Sequence, residues 1–299
     1  MTVLTRSKQS WRQSAIALSL AGPAITLMLV FLIGPLVCVV LLSLTNYQLG
    51  ASTLSMIGFG NYVELAQDPT FQRSLMNTLI YAAIVVPGSV VLGLGAALQI
   101  EADSSLRSFY RAVYFLPVMA TLIAMAIVWE FMLHPQFGIV NLTLKLMGMQ
   151  PQDWLHNKSL ALFTLCGIGI WQSLGFNMVL FMAGLTSIPP DLYEAAAVDG
   201  ANSSLDRFRT VTWPMLGPVS LFVIVITAIR SFQVFDTVAV LTKGEPNKST
   251  EVLLFTMYSE AFTFFRTGYG ASVTVVFLVI VLALAALKTF FLDRRVHYS

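Results

Sequence analysis

The sequence predicts an all-α integral membrane protein that crosses the bilayer six times. Of its 299 residues, 57% are hydrophobic and only 11% are charged, and the mean hydropathy is +0.77. A soluble domain carries roughly a quarter charged residues, and a disordered chain lacks this much apolar surface. The chain also contains several apolar runs of about 20 residues or more, the length that crosses a bilayer core of about 30 Å. Soluble and disordered classes are therefore excluded.

Six runs without a charged residue define the expected spans. The first lies between Arg12 and Glu64, and its most apolar part, Ile16 to Leu44, is too long for a cleaved signal peptide. The fourth ends in Ser187-Ile188-Pro189-Pro190, a helix stop. Each run fits one helix. The five later runs are 74–100, 112–129, 159–190, 210–229 and 267–287.

The positions of lysine and arginine predict that both termini are cytoplasmic. With the N-terminus inside, the inner segments hold ten of the 17 basic residues, which agrees with the positive-inside rule. The expected organisation is a six-span domain, 13–293, between two cytoplasmic tails. The cytoplasmic segments are the tail 1–12, the loops 101–111 and 188–213, and the C-terminal tail 294–299.

No catalytic, metal-binding or phosphate-binding motif is present in the sequence. His134, His156 and His297 are scattered and have no zinc-site spacing. Lys248-Ser249-Thr250 imitates the end of a phosphate-binding loop, but the required glycine before the lysine is Asn247. A net charge of +2 leaves no basic patch for nucleic acid. We therefore expect a non-enzyme with no catalytic residue, metal, cofactor or nucleic-acid partner.

The loop 188–213 carries the clearest local signals. Pro190 and Asp191 start a short helix, an alanine run favours it, and Gly200 ends it. An amphipathic segment follows. A short helix, a glycine and a second helix on the cytoplasmic face suit docking of a partner, although packing against the protein's own spans explains the same pattern.

These residues resemble the Glu-Ala-Ala motif of the binding-protein-dependent transport family, the type I ABC importer permeases. The family pattern is Glu-Ala-Ala, three residues, Gly, nine residues, then Ile-x-Leu-Pro. Ten residues, not nine, separate Gly200 from Val211, and we expect the turn 201–204 to absorb the extra one. The matching residues are Glu194, Ala195, Ala196, Gly200, Val211, Trp213 and Pro214.

Weaker likenesses extend over nearly the whole chain and resemble the carbohydrate and glycerol-3-phosphate subgroup. They run from Gly60-Asn61-Tyr62 to Ser231-Phe232-Gln233-Val234-Phe235-Asp236. The resemblance implies a permease subunit that pairs with a second homologous permease in the inner membrane. It also implies two cytoplasmic ATPase subunits and an extracytoplasmic solute-binding protein as partners. By the same resemblance, the ATPase-coupling residues are Glu194, Ala195, Ala196, Asp199, Gly200 and Pro214.

Polar side chains inside spans are costly and usually face a cavity or a partner. Gln172 and Asn177 are five residues apart and diverge by about 140° around a helix, so both cannot line one pathway. Gln233 and Asp236 are three apart and can share a helix face. Hydrogen bonding between helices explains membrane Asn and Gln equally well. The candidates for the solute pathway are Trp129, Gln172, Asn177, Gln233 and Asp236.

A stand-alone secondary carrier for a small polar solute is the alternative hypothesis. Carriers of that class favour two internal repeats with helices broken at matched positions, and no convincing second half is present. A membrane enzyme is disfavoured because His, Asp and Cys do not cluster at either membrane face.

Overall fold

The computed structural model describes residues 3–102 and 107–295. Every regular element within these two ranges is helical. Helices suit a membrane because they satisfy their backbone N–H and C=O groups internally, where lipid offers no partner. In chain order the helices are α1 (Val3–Met28), α2 (Gly34–Leu42), α3 (Gly60–Gln67), α4 (Pro69–Ala102), α5 (Arg107–Met119), α6 (Leu122–Met132), α7 (Ile139–Leu146), α8 (Ala161–Thr186), α9 (Pro190–Val198), α10 (Ser204–Arg207), α11 (Trp213–Met215), α12 (Gly217–Phe232), α13 (Leu253–Tyr258) and α14 (Thr267–Arg295).

Four of the six predicted spans are single passages long and apolar enough to cross a membrane. They are Ile16–Leu42, Pro69–Glu101, Ala161–Thr186 and Thr267–Ala286. The first contains a π-helical turn, Leu29–Ile33, between α1 and α2. Pro35 follows this turn and has no N–H to donate, so a local change of helical hydrogen bonding is expected there.

The third and fifth spans are bent pairs, and the expectation that each forms one helix was wrong. Helices α5 and α6 meet at 102°, and the segment Ser204–Met215 meets α12 at 68°. The first bend lies at Thr121, whose ψ of 135° is extended rather than helical. The second lies before Pro218, in the first turn of α12, where a proline can begin a helix but cannot continue one.

The spans α4 and α8 form the centre of the bundle and run in the same direction. Gly88 lies against Ile170, and Gly93, further along α4, lies against Asn177, further along α8. A methyl carbon added at Gly93 would lie 2.8 Å from the Asn177 Cβ, so these small residues let the helices approach closely. Parallel packing is what the second and fourth of six successive crossings require.

Separate clusters of buried side chains mark the two ends of the bundle. At the start of α4, Phe71 packs with Leu253 and Tyr269. At its far end, Ile100 belongs to a cluster with Leu185 and Val211. The loop 188–213 therefore lies at the opposite end of the bundle from α3 and α13.

Polar contacts hold α3 and the start of α4 against α14. The Tyr269 hydroxyl donates to Asp68 (2.7 Å), and Arg266 forms ion pairs with Glu64 and Glu260. Burial raises the pKa of Asp68, but hydrogen bonds from Tyr269 and Thr70 outweigh it and hold that pKa below its ordinary value of 3.8. The ionised carboxylate therefore stabilises this end of the bundle.

Candidate coupling loop and solute cavity

Helix α9 forms where the sequence predicts a short helix, and its two ends explain why. Pro190 occupies the first turn, where its missing N–H costs nothing, and Asp191 adds a negative charge near the helix N-terminus. At the other end, the Gly200 N–H donates to the Ala197 carbonyl (3.2 Å) and the Ala201 N–H to the Ala196 carbonyl (2.9 Å). Gly200 has φ +95°, which closes a Schellman motif. The chain is thereby fixed at this end of the helix.

One side of α9 is anchored to the bundle. The Tyr193 hydroxyl lies 3.1 Å from the Thr212 Oγ1, and Tyr193 and Ala196 pack against the buried cluster that includes Val211 and Leu216. A hydrogen bond and apolar contacts therefore both join α9 to the segment leading into α12.

The opposite side of α9 is open to solvent. Glu194 and Ala195 are exposed, and the side chain of Val198 is 88% exposed. Within the described ranges, Glu194 forms no ion pair. An accessible carboxylate beside small and apolar side chains offers a partner both a charge contact and close approach.

The segment after Gly200 starts again as a helix with its own cap. The Ser203 Oγ accepts the Asp206 N–H (3.1 Å), and the Ser203 N–H donates to the Asp206 carboxylate. The chain from 201 to 203 is not helical, and a π-helical turn, Phe208–Thr212, follows. A helix break therefore lies in the turn expected to absorb the extra residue, so no continuous helix is rotated by it.

Four of the six predicted coupling residues line one cleft of about 470 Å³ between α9 and the segment that follows it: Ala195, Ala196, Asp199 and Gly200. Glu194 lies on the same short helix, outside the cleft lining. Pro214 lies in α11, beyond the cleft, and is exposed. The predicted coupling residues are thus one surface around α9, with Pro214 at its margin.

A second cavity, of about 260 Å³, lies among α4, α8 and the end of α12. Its apolar lining residues are Val85, Val118, Val234 and Phe235, and most of the others carry hydrogen-bonding side chains. The structure brings three predicted pathway residues together here, and Ser173 and Arg230 of the same spans lie beside them. These five are Gln172, Ser173, Arg230, Gln233 and Asp236.

Gln233 and Asp236 line the same cavity, but not because they share a helix face. Helix α12 ends at Phe232 and Gln233 is its C-cap, so the three-residue helical spacing does not apply. The chain leaves the helix between the two residues and becomes helical again at Asp236. The predicted grouping is therefore present, and the physical reason for it is a helix break.

Arg230 is the cationic group of the cavity. Its guanidinium lies 3.8 Å from the centre of the Phe176 ring, a cation–π contact that orients it. Among the described residues neither Arg230 nor Asp236 takes part in a salt bridge. The cavity lining therefore contains both a guanidinium and a carboxylate.

Asn177 lies outside this cavity, as its 140° divergence from Gln172 requires. Its side chain is 1% exposed, donates to the Ser89 hydroxyl (3.2 Å) and accepts from the Thr227 hydroxyl (2.9 Å). These bonds join α4, α8 and α12. The geometry favours the alternative raised by the sequence, hydrogen bonding between helices.

Trp129 also lies outside this cavity. Its ring meets Trp171 edge-on with centroids 5.4 Å apart, and it lines a separate, mostly apolar groove of about 390 Å³. Its indole N–H is buried without a hydrogen-bond partner among the described residues.

Sequence reasoning missed Tyr81 and Gly169, which lie against each other in the wall of the cavity. The signal was available, because Tyr81 places a hydroxyl within the second apolar run. Within an apolar run, however, amides and charged side chains stand out, whereas a tyrosine resembles its apolar neighbours. Within the described ranges, no group of three His, Cys, Asp or Glu side chains is placed to hold a metal ion.

Comparisons with known proteins agree with this geometry. The sn-glycerol-3-phosphate transport system permease protein UgpA of Agrobacterium fabrum is 31% identical over 285 residues, which cover 94% of this chain and 95% of the relative. The trehalose/maltose transport system permease protein MalF of Thermococcus litoralis is 31% identical, with 93% of each chain covered. A crystal structure of a bacterial alginate ABC transporter contains a chain of the same fold, with a TM-score of 0.82, 23% identity and 98% of both chains covered.

Residues 89–298 match the family described as binding-protein-dependent transport system inner membrane component. The match covers most of the chain and includes α8, α9 and α12, the helices that carry the cleft and most of the cavity wall. The chain therefore belongs to the binding-protein-dependent transport family and is a multi-pass permease of the inner membrane, a transport subunit rather than an enzyme.

Proposed function

We propose that this chain is one permease subunit of an ATP-driven importer for a sugar or a related polyol, with glycerol-3-phosphate as one candidate solute. The observation that carries the proposal is the cavity of about 260 Å³, which offers amide, hydroxyl, guanidinium and carboxylate groups inside an apolar bundle. Such groups match the hydroxyls of a polyol. The curated relatives named above include permeases for sugars and for sn-glycerol-3-phosphate.

The proposed topology has six spans in the domain 13–293 with both termini cytoplasmic. The cytoplasmic parts are the tails 1–12 and 294–299 and the coupling loop 188–213. The parallel packing of α4 and α8 supports it, and so does the excess of basic residues on the inner segments.

The proposed coupling path runs from the ATPase subunits through α9 into the bundle. Two cytoplasmic ATPase subunits would act on the importer, and one would dock on the exposed side of α9 around Glu194 and Ala195. The contact from Tyr193 to Thr212 would then carry the movement of α9 to α12, a rigid-body transfer of the kind that drives alternating access.

Two further partners belong to the proposal. An extracytoplasmic binding protein would deliver the solute, in line with the family's description. A second homologous permease would complete the pathway. In support, the first span has no buried residue over its most apolar window, which leaves room for a partner helix and for lipid.

Solute uptake by proteoliposomes that contain the complete complex tests the proposal. The probes are radiolabelled maltose and sn-glycerol-3-phosphate, each supplied with the binding protein that carries it. Gln233→Ala should raise the KM for uptake by about 2- to 10-fold, the loss expected for one hydrogen bond. Gln136→Ala, at an exposed position away from the cavity, is the matched control. Equal KM values for the two variants would show that the cavity is not part of the solute pathway.

A further inference from the structure

The wall of the cavity contains one contact that only a glycine permits. Tyr81 on α4 and Gly169 on α8 both line the cavity. A Cβ atom added at Gly169 would lie 2.1 Å from the Tyr81 hydroxyl oxygen and 2.9 Å from its Cζ. The end of the phenol ring therefore occupies the volume that any other side chain at 169 would need.

The hydroxyl of Tyr81 has no hydrogen-bond partner among the described residues, although the residue is only 5% exposed. Buried polar groups are normally hydrogen-bonded to protein or water. A hydroxyl at the wall of a polar cavity can both donate to and accept from a hydroxyl of a solute.

The other sides of the Tyr81 ring are closed by packing. Tyr81 belongs to a cluster with Val85, Leu165 and Ile168, and each of these four residues is at most 5% exposed. Protein interiors are close-packed, so neighbouring side chains accommodate an added group poorly. A methyl group at position 169 would consequently displace the ring towards the cavity, which is the open volume that Tyr81 borders.

We propose that the contact between Tyr81 and Gly169 sets the width of the cavity and selects solutes by size, with the Tyr81 hydroxyl hydrogen-bonding to a solute hydroxyl. The inference rests on the proposed function, because it assigns selectivity to the same cavity. Tyr81 is the residue that contacts the solute, and Gly169 acts through it as a positioning residue.

Thiol labelling of the detergent-purified complete complex tests the width directly, without transport. The substitution Ser173→Cys places a thiol in the cavity, and Cys38→Ser removes the exposed native cysteine. Two uncharged reagents are compared, methyl methanethiosulfonate and a hexose-coupled methanethiosulfonate. The measured quantity is the ratio of the two labelling rates, large reagent over small, after subtraction of the signal from the protein with native Ser173.

Gly169→Ala should lower this ratio by about tenfold, because an overpacked wall excludes the large reagent first. Gly167→Ala on the same helix is the matched control, since a Cβ there meets nothing within 4 Å, and it should leave the ratio unchanged. Adding Tyr81→Phe to Gly169→Ala should restore the ratio in part, because the 2.1 Å contact disappears and the 2.9 Å contact to Cζ remains.

Equal labelling ratios for Gly169→Ala and Gly167→Ala would overturn the proposal. So would a thiol introduced by Ser173→Cys that fails to react with the small reagent when Tyr81 and Gly169 are both unchanged. If Gly169→Ala does not assemble, Tyr81→Phe alone decides: a raised ratio supports the proposal and an unchanged ratio contradicts it. A uniform structural defect would slow both reagents and leave the ratio constant. Failure of sugar uptake with the expected labelling ratios would count against the proposed function only.

Discussion

Gly200 allows a sharp test of the coupling loop, because there is room for a methyl group at this position but the backbone conformation disfavours one. A Cβ at this position would meet nothing within 4 Å, so Gly200→Ala creates no clash. Its φ of +95°, however, lies in a region that side chains other than glycine rarely adopt. The substitution therefore perturbs the backbone at the end of α9 and little else.

The expected magnitude follows from that strain. A non-glycine residue in a sparsely populated backbone region costs about 1–3 kcal/mol. The strain is relieved if the last turn of α9 opens, which breaks the bonds from Gly200 to Ala197 and from Ala201 to Ala196. Amide exchange at positions 200 and 201 should thus accelerate by about 5- to 150-fold. ATP hydrolysis stimulated by the solute-loaded binding protein should fall, because the docking surface is no longer held in one geometry.

Hydrogen exchange and ATP hydrolysis are measured on the same reconstituted complex. Gly217→Ala is the matched control, since this glycine also has open space around it but no positive φ, and it lies nearby at the start of α12. Protected amides and normal solute-stimulated hydrolysis in Gly200→Ala would refute the reasoning that the Schellman turn positions α9.

Three further predictions concern single side chains. Glu194→Ala should leave membrane insertion unchanged and reduce solute-stimulated ATP hydrolysis in the complete complex, with normal stimulation as the contradicting result. Asn177→Leu removes the hydrogen bonds to Ser89 and Thr227. It should lower the free energy of unfolding in detergent by about 0.6–1.7 kcal/mol and leave the KM for solute unchanged. A large change in KM would place Asn177 in the solute pathway. Because the pKa of Asp68 is lowered in the folded protein, this carboxylate stabilises the fold at pH values above its ordinary pKa of 3.8. The stabilisation is lost as the pH falls through the lower pKa of the folded state. Asp68→Asn should therefore flatten the acid side of a plot of unfolding free energy against pH.

Local sequence signals predicted the short helix and the turn at Gly200 in the loop 188–213, because the interactions that form them are local. Pro190 and Asp191 at one end of α9 and Gly200 at the other act within a turn of the helix they limit. The lengths of the apolar runs likewise predicted four single helices long and apolar enough to cross a membrane, since bilayer thickness sets that length.

The bends and the cavity could not be predicted from runs and spacing. The composition of the run 112–129 does not predict the extended backbone at Thr121. The spacing of Gln233 and Asp236 suggested one helix face, whereas α12 ends at Phe232, before both residues. Both features depend on how neighbouring spans pack, and that information is not contained in a single segment.

The roles of polar residues within spans also required tertiary structure. Gln172 and Asn177 are similar amides on one helix, yet one lines the cavity and the other joins three helices. Tyr81 was overlooked because its importance arises from the absence of a side chain at Gly169, on another span. Such pairings become visible only when two helices are placed side by side.

The most direct test of the central claim is the energy source for uptake. Proteoliposomes containing the complete complex are supplied with solute-loaded binding protein outside and either ATP or an ion gradient. The account predicts accumulation of maltose or sn-glycerol-3-phosphate only with ATP at the face that carries α9, and loss of accumulation with Glu194→Ala. Accumulation by this chain alone, driven by an ion gradient without ATP, would contradict it and establish a secondary carrier.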